Sequence, residues 1–154
     1  MSLPVVRMQG ARPWPPRRSD FTDHFWRALA EGRFETTRCA KCARPSFPPK
    51  PFCPHCWHDR VEWTPLSGAG TVYSSTVVHA VPAVFRHEAP YRVGIVDLDD
   101  GVRIATRLLA VEEEDGFAVG TRAEIVVLAY EDGPLFAARV TPTPTFPLGK
   151  GERA

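Results

Sequence analysis

Two pairs of cysteines carry the clearest chemistry in this sequence: Cys39-Ala-Lys-Cys42 and, after ten intervening residues, Cys53-Pro-His-Cys56. Two residues between the members of a pair let both sulfurs of one tight turn reach the same ion. Four thiolates complete a zinc tetrahedron and leave no position open for water or substrate. The spacing therefore predicts one structural zinc ion held by Cys39, Cys42, Cys53 and Cys56, not a catalytic centre. Iron also accepts four thiolates and stays the alternative metal. The connecting segment Phe47-Pro48-Pro49-Lys50-Pro51 is stiff, which lowers the entropy of bringing the two pairs together. His55 and His58 lie close enough to compete as ligands, but with four cysteines in place they read as exposed loop residues.

Disulfides compete with metal for the same sulfurs, and compartment decides between them. The N-terminal MSLPVVRMQGARPWPP lacks the apolar run of a secretory signal, and no stretch reaches the roughly 18 apolar residues of a membrane span. The expectation is a cytoplasmic protein with reduced thiols. A redox CxxC pair belongs beside a βαβ pattern, which the sequence does not show. With every cysteine committed to metal, none is left as a nucleophile, and neither a GxSxG elbow nor a phosphate-binding glycine loop is present. His79 and His87 flank a proline-containing loop, Ala80–Arg86, and read as solvated polar residues. The formal net charge of +1 opposes a polyanion partner, since nucleic-acid binders usually show a basic excess.

The elements that must hold this constellation can be read around it. Sixteen prolines in 154 residues argue against a mainly helical protein. Residues 1–18 are rich in proline and arginine without periodicity and read as an irregular or mobile arm. A helix follows within 19–33, capped by Ser19 or Asp20 and stopped by Gly32, with Phe21, Phe25, Trp26 and Leu29 on one stripe. That stripe packs either on its own domain or on a partner chain. Residues 34–65 form the cysteine module, with Phe34, Phe47, Phe52, Trp57, Val61 and Trp63 expected around the metal and against the neighbouring core. Short β-runs then follow over 66–141: Gly70–Val78, Tyr91–Leu98, Val102–Leu109, Thr121–Tyr130 and Leu135–Val140, with turns at Asp99-Asp100-Gly101 and Glu131-Asp132-Gly133-Pro134. Glu112–Phe117 reads as an acidic connector, and residues 142–154 as an extended tail. Five strands without an intervening long helix predict a small antiparallel barrel, for which an OB-fold is the five-stranded choice.

The combination of motifs resembles a known family. Cys39-x-x-Cys42-x-x-x-x-Phe47-Pro48-Pro49 with Cys53-Pro54-x-Cys56 is similar to the zinc-ribbon half of the DUF35 proteins, whose second half is an OB-fold. Glu62-Trp63-x-x-Leu66-Ser67-Gly68-x-Gly70-Thr71-Val72-Tyr73-Ser74, Thr76-Val77-Val78-His79, Ala89-Pro90-Tyr91 and Val96-Asp97-Leu98-Asp99-Asp100-Gly101-Val102-Arg103 extend the similarity over residues 20–141. Members often carry glycine after each CxxC; this sequence has Ala43 and Trp57 there. The resemblance implies a mainly β chain, with an N-terminal helix and rubredoxin-like zinc ribbon followed by a five-stranded OB-fold barrel. It also implies an accessory subunit that assembles with a thiolase-like or lipid-transfer-protein-like enzyme and touches acyl-CoA indirectly. On that reading Arg86, Arg92, Arg103 and Arg107 are candidates for the CoA phosphates or the partner, since the guanidinium fork suits phosphate. A single-stranded nucleic-acid-binding OB-fold and a standalone acyl-CoA-binding protein stand as the alternative functions.

Overall fold

The computed structural model describes residues 2–110 and 117–141. Its elements in chain order are β1 (Val5–Arg7), α1 (Asp20–Ala30), β2 (Glu35–Cys39), β3 (Pro45–Ser46), β4 (Val61–Pro65), β5 (Ala69–Val78), a 3-10 turn (Ala83–Glu88), β6 (Tyr91–Leu98), β7 (Arg103–Ala110), β8 (Arg122–Tyr130) and β9 (Gly133–Val140). They form two sheets. A three-stranded antiparallel sheet, β3-β2-β4, carries the cysteine module. A second sheet runs β8-β5-β6-β7-β9 and closes through β8–β9 into a five-stranded barrel. Its one parallel barrel pairing, β7 with β9, completes the order expected of an OB-fold. Inward side chains at Val72, Val96, Ile104, Ile125 and Val140 are essentially buried and fill the barrel.

Local chemistry accounts for the helix and its ends. Ser19 caps α1 through a reciprocal box: its Oγ accepts from the Thr22 N–H at 3.2 Å, and Thr22 Oγ1 accepts from the Ser19 N–H at 2.8 Å. Asp20 and Asp23 occupy the first turn, where the helix dipole favours negative charge. Gly32 ends the helix at φ 79°, with the Arg33 N–H bonded to the Ala28 carbonyl at 2.8 Å and the Gly32 N–H to the Leu29 carbonyl at 3.0 Å. This is the glycine-terminated closure that satisfies the last carbonyls. The apolar stripe packs on the protein itself: Phe25, Ala28 and Leu29 are buried, and Phe21 lies against Trp63 with ring centroids 5.3 Å apart. Phe25 meets Phe34 and Phe47 of the ribbon at 5.8 and 5.9 Å and Phe136 of β9 at 6.1 Å. One aromatic cluster thus joins helix, ribbon and barrel.

The N-terminal segment departs from the irregular arm expected there. Residues 5–7 pair in parallel with Val127–Ala129 of β8, at the end of β8 that β5 leaves uncovered. Val6 and Met8 pack on Val126, Leu128 and Ala137, the outer face of the barrel. Arg12 then clamps the β8–β9 turn: its backbone N–H and a guanidinium N–H each donate to Asp132 at 2.8 Å. The Asp132 carboxyl is held below the ordinary carboxylate range by the Arg12 N–H first and the guanidinium second. Hydrophobic pairing on both sides of β8 explains how an aperiodic, proline-rich stretch becomes ordered. Two smaller differences concern turns. β9 begins at Gly133, so Pro134 sits inside the strand near its start, where proline is tolerated. The loop before β6 contains the 3-10 turn, begun by the Phe85 N–H bonding the Pro82 carbonyl at 2.9 Å. The acidic connector at 112–116 and the tail at 142–154 lie outside the described residues.

Phe34 is the largest of the essentially buried side chains and lies at the centre of the aromatic cluster. Phe34→Ala is expected to destabilise the zinc-loaded chain by about 3–5 kcal/mol, read from the urea midpoint. Val6→Asp is expected to lower the same midpoint by placing a charge in the apolar seam between arm and barrel.

Candidate metal centre and the surfaces around it

The cysteines reach one point because two β-turn knuckles repeat the same hydrogen-bond pattern. In the first, the Cys39 N–H donates to the Arg44 carbonyl at 3.0 Å and the Ala43 N–H to the Cys39 carbonyl at 3.1 Å. In the second, the Cys53 N–H donates to the His58 carbonyl at 2.9 Å and the Trp57 N–H to the Cys53 carbonyl at 3.0 Å. Both turns close through a residue at φ 61°, Ala43 in one and Trp57 in the other. Those are the positions at which the sequence resemblance leads one to expect glycine. The left-handed backbone is thus kept although a Cβ is present, which costs roughly 1–2 kcal/mol per residue. The ribbon strands add their own anchors: Thr37 Oγ1, buried, donates to the Lys50 carbonyl at 3.0 Å and accepts the Lys50 N–H at 3.1 Å.

The four Sγ atoms lie within 4.8 Å of one another, with Cys39–Cys56 and Cys42–Cys53 at 3.6 Å. A tetrahedron with metal–sulfur bonds of about 2.3 Å has edges near 3.8 Å, so the cage fits a single zinc ion. Backbone N–H groups aim at the sulfurs: Lys41 and Cys42 at Cys39 (3.3 and 3.4 Å) and His55 at Cys53 (3.4 Å). The Cys42 N–H is the largest influence holding the Cys39 thiol down to about 6. Burial, the largest single influence, would raise the Cys53 thiol, but the N–H groups of Cys56 and His55 together with the Cys42 and Cys56 sulfurs leave it lowered. At Cys56 the His58 N–H pulls down, yet burial and the three neighbouring sulfurs push the thiol up to about 11. Four thiolates this close need a cation among them. All four sulfurs are used, so bound zinc would supply a crosslink and no open coordination position.

The structure separates the other candidates. Of the aromatics expected around the module, Phe34, Phe47 and Trp63 pack inward, whereas Phe52 and Trp57 face outward. They stack on each other at 5.8 Å with planes 9° apart, and Trp57 is 76% exposed. His55 is exposed and its Nε2 lies 3.3 Å from the Pro45 carbonyl, while His58 is half-buried. His79 and His87 are both exposed. Arg103 and Arg107 fall on the outer face of β7, as the strand alternation places them. Arg103 makes a fork to Asp97 (2.6 and 2.8 Å) and covers the Tyr73 ring at 3.7 Å, and the Asp97 carboxyl is lowered chiefly by that hydrogen bond. Arg107 pairs with Glu88. Arg92 belongs to the opposite face of β6 and lies over Phe117 at 4.3 Å, and Arg86 is exposed on the 3-10 turn. The four arginines therefore do not converge on one point.

Two concave surfaces were not visible in the sequence. An open, mostly apolar shelf of about 650 Å³ lies on the outer face of β5-β6-β7, lined by Ser74, Thr76, Val93, Ile95, Ala105 and Arg107. A smaller cleft of about 330 Å³ lies between ribbon and barrel, with Arg44, Ser46, Lys50, His55 and Arg103 on its walls. No helix among the described residues is long and apolar enough to cross a membrane.

Known proteins share both halves. Residues 26–62 match the family described as ChsH2, rubredoxin-like zinc ribbon domain, and residues 63–128 match ChsH2, C-terminal OB-fold domain. A DUF35 domain-containing scaffold protein of Methanocaldococcus jannaschii is 37% identical over 90 residues, 58% of this chain and 63% of that one. Another, from Methanothermobacter thermautotrophicus, is 30% identical over 104 residues, 66% of this chain and 77% of that one. A probable enoyl-CoA hydratase alpha subunit of Thermomonospora curvata is 37% identical over 101 residues, 65% of this chain but only 31% of that protein. The chain thus spans less than two thirds of the length of the first and third of these relatives. A solved structure described as Ltp2-ChsH2(DUF35) aldolase superposes with a TM-score of 0.70 at 29% identity, covering 82% of this chain and 98% of that one.

Ala43→Gly is expected to raise the urea midpoint of the zinc-loaded chain by the equivalent of about 1 kcal/mol, because glycine carries no left-handed penalty. Trp57→Gly should gain less, since it also removes the stack on Phe52. Cys53→Ser is expected to abolish stoichiometric zinc, measured by metal analysis of the purified chain, and to unfold the ribbon.

Proposed function

The chain belongs to the DUF35 family, and on that premise we propose that it is a non-catalytic accessory subunit. It assembles with a thiolase-like or lipid-transfer-protein-like enzyme and helps form or cover that enzyme's acyl-CoA site. One observation carries the reading: every cysteine of the sequence sits inside a single closed cage. The sulfur chemistry of this chain is spent on holding shape, so a thioester-processing nucleophile would come from the partner. The chain's relatives point the same way, since they include scaffold proteins, an aldolase with a DUF35 component and a probable hydratase subunit. The cytoplasm suits a cage that needs reduced thiols.

A scaffold requires a surface that a partner can cover. The apolar shelf on β5-β6-β7 supports that role, with Val93, Ile95 and Ala105 in its floor and Arg107 at its edge. Within the same reading, some of Arg86, Arg92, Arg103 and Arg107 contact the CoA phosphates or the partner. Arg103→Ala with Arg107→Ala should weaken acyl-CoA binding to the assembled complex; unchanged affinity removes these two from the proposal.

The decisive test is co-purification from the native host. The tagged chain is expected to bring down an acyl-CoA-processing enzyme in fixed ratio, and that enzyme is expected to lose activity or stability without it. Ile95→Glu should release the enzyme while zinc content and the circular dichroism spectrum stay unchanged. A captured enzyme that is fully active on its own would overturn the scaffold role. Stripping zinc with a chelator should release the partner together with the ribbon's fold; an intact complex after metal loss would break the link between zinc and assembly.

A further inference from the structure

The cleft between ribbon and barrel has a composition that neither the closed metal cage nor the apolar shelf explains. Its walls come from β3 and the knuckles on one side and the β6–β7 turn on the other: Arg44, Ser46, Lys50 and His55 facing Gly101–Arg103. Three of its ten lining residues, Arg44, Lys50 and Arg103, are basic and none is acidic, so the count favours an anion. Of the arginines on the barrel strands, Arg107, Arg122 and Arg139 are paired away from the cleft with Glu88, Asp99 and Glu124, and Arg103 on its wall is paired with Asp97. Among the described residues no carboxylate lies within salt-bridge distance of Arg44 or Lys50, whereas Arg103 is taken by Asp97 and serves as wall.

The cleft is also built from held parts. The Lys50 backbone is gripped on both its N–H and its carbonyl by buried Thr37. The Arg44 carbonyl closes the first knuckle through the Cys39 N–H, and His55 rests against the Pro45 carbonyl. Two long cations and an imidazole are thus rooted on rigid turns around a space open to solvent. Rigid placement of several charge-assisted donors is what phosphate recognition requires.

We infer that this cleft binds a phosphate-bearing anion, with Arg44 and Lys50 as the charged donors, the Ser46 side beneath them and His55 on its rim. The ligand class is a phosphate ester or diphosphate. It comes either from a CoA-type carrier or from a free phosphate compound, and both share the same contacts. The CoA arm rests on the function proposed above, since Arg103 lines this cleft too; pyrophosphate binding by the chain alone and capture of an enzyme from the host are separate readouts, so the two failures are distinguishable.

The test uses the full zinc-loaded chain with inorganic pyrophosphate and with CoA as separate probes, followed by calorimetry and by the His55 ring resonances. Saturable binding that shifts His55 and weakens about tenfold or more in Lys50→Gln and in Arg44→Gln is the expected result. Zinc content and circular dichroism of both variants should match the parent, and Arg27→Gln, on the exposed face of α1, should bind as the parent does. CoA binding tighter than pyrophosphate identifies the carrier as source; equal binding identifies the phosphate group alone. No saturable binding of either probe at millimolar concentration overturns the inference. So does an equal loss in Arg27→Gln, which would make the effect one of net charge. If Lys50→Gln and Arg44→Gln bind as the parent does while losing zinc more readily, the two cations only balance the thiolate charge and the inference fails.

Discussion

Four phenylalanines from three parts of the chain meet in one cluster, edge to face except where Phe34 tilts against Phe47, and the architecture depends on that meeting. Phe25 comes from the helix, Phe34 and Phe47 from the ribbon and Phe136 from the barrel. A ribbon of about thirty residues cannot bury enough surface to fold alone, which is why such modules rely on a metal or on a neighbour. Here both are used. Zinc ties the two knuckles at one end of the ribbon, and the aromatic cluster ties the other end to the barrel. Each aromatic pair adds roughly 0.5–1.5 kcal/mol beyond its buried area, so the junction is a substantial share of a marginal total. The helix serves the same purpose: its buried stripe is the lid over the junction.

With the ribbon fixed in this way, strain can be placed at its far end. Ala43 and Trp57 hold left-handed backbone without being glycine, and the second of them presents an exposed indole stacked on Phe52. Backbone strain persists where surrounding structure over-determines it. The knuckle hydrogen bonds and the sulfur cage do so here. The division of labour is consistent: metal and aromatics make the body rigid, and the exposed surfaces are left to meet other molecules.

Much of this was legible in the residues. The CxxC spacing named the cage, Ser19 and Gly32 bracketed the helix, and the alternation of Val102–Leu109 placed Arg103 and Arg107 on one face. The fold class followed from strand number and turn chemistry. What escaped was long-range. β1 has no periodicity of its own; it is ordered by β8, more than a hundred residues away. A signal did exist in the unbroken apolar run Ile125–Ala129, since a strand without alternation is covered on both faces. The outward turn of Phe52 and Trp57 was hidden because composition does not say which side of a knuckle an aromatic takes. The cleft was hidden for a related reason: Arg44 and Lys50 become neighbours of Gly101 and Arg103 only when ribbon and barrel dock.

The position of Phe136 gives this architecture a temporal order. It lies on β9, the last described strand to leave the ribosome, while its ring partners Phe25, Phe34 and Phe47 all belong to the first third of the chain. β9 is also the strand that closes the barrel, pairing with both β7 and β8. During synthesis the knuckles can capture their ion early, yet helix and ribbon must wait for the whole barrel before their apolar faces are covered. Such distant contacts make folding slow relative to local ones. Until β9 is made, the rings of Phe25 on the helix and of Phe34 and Phe47 on the ribbon have one another but lack Phe136, so this side of the junction stays apolar and open until the barrel closes.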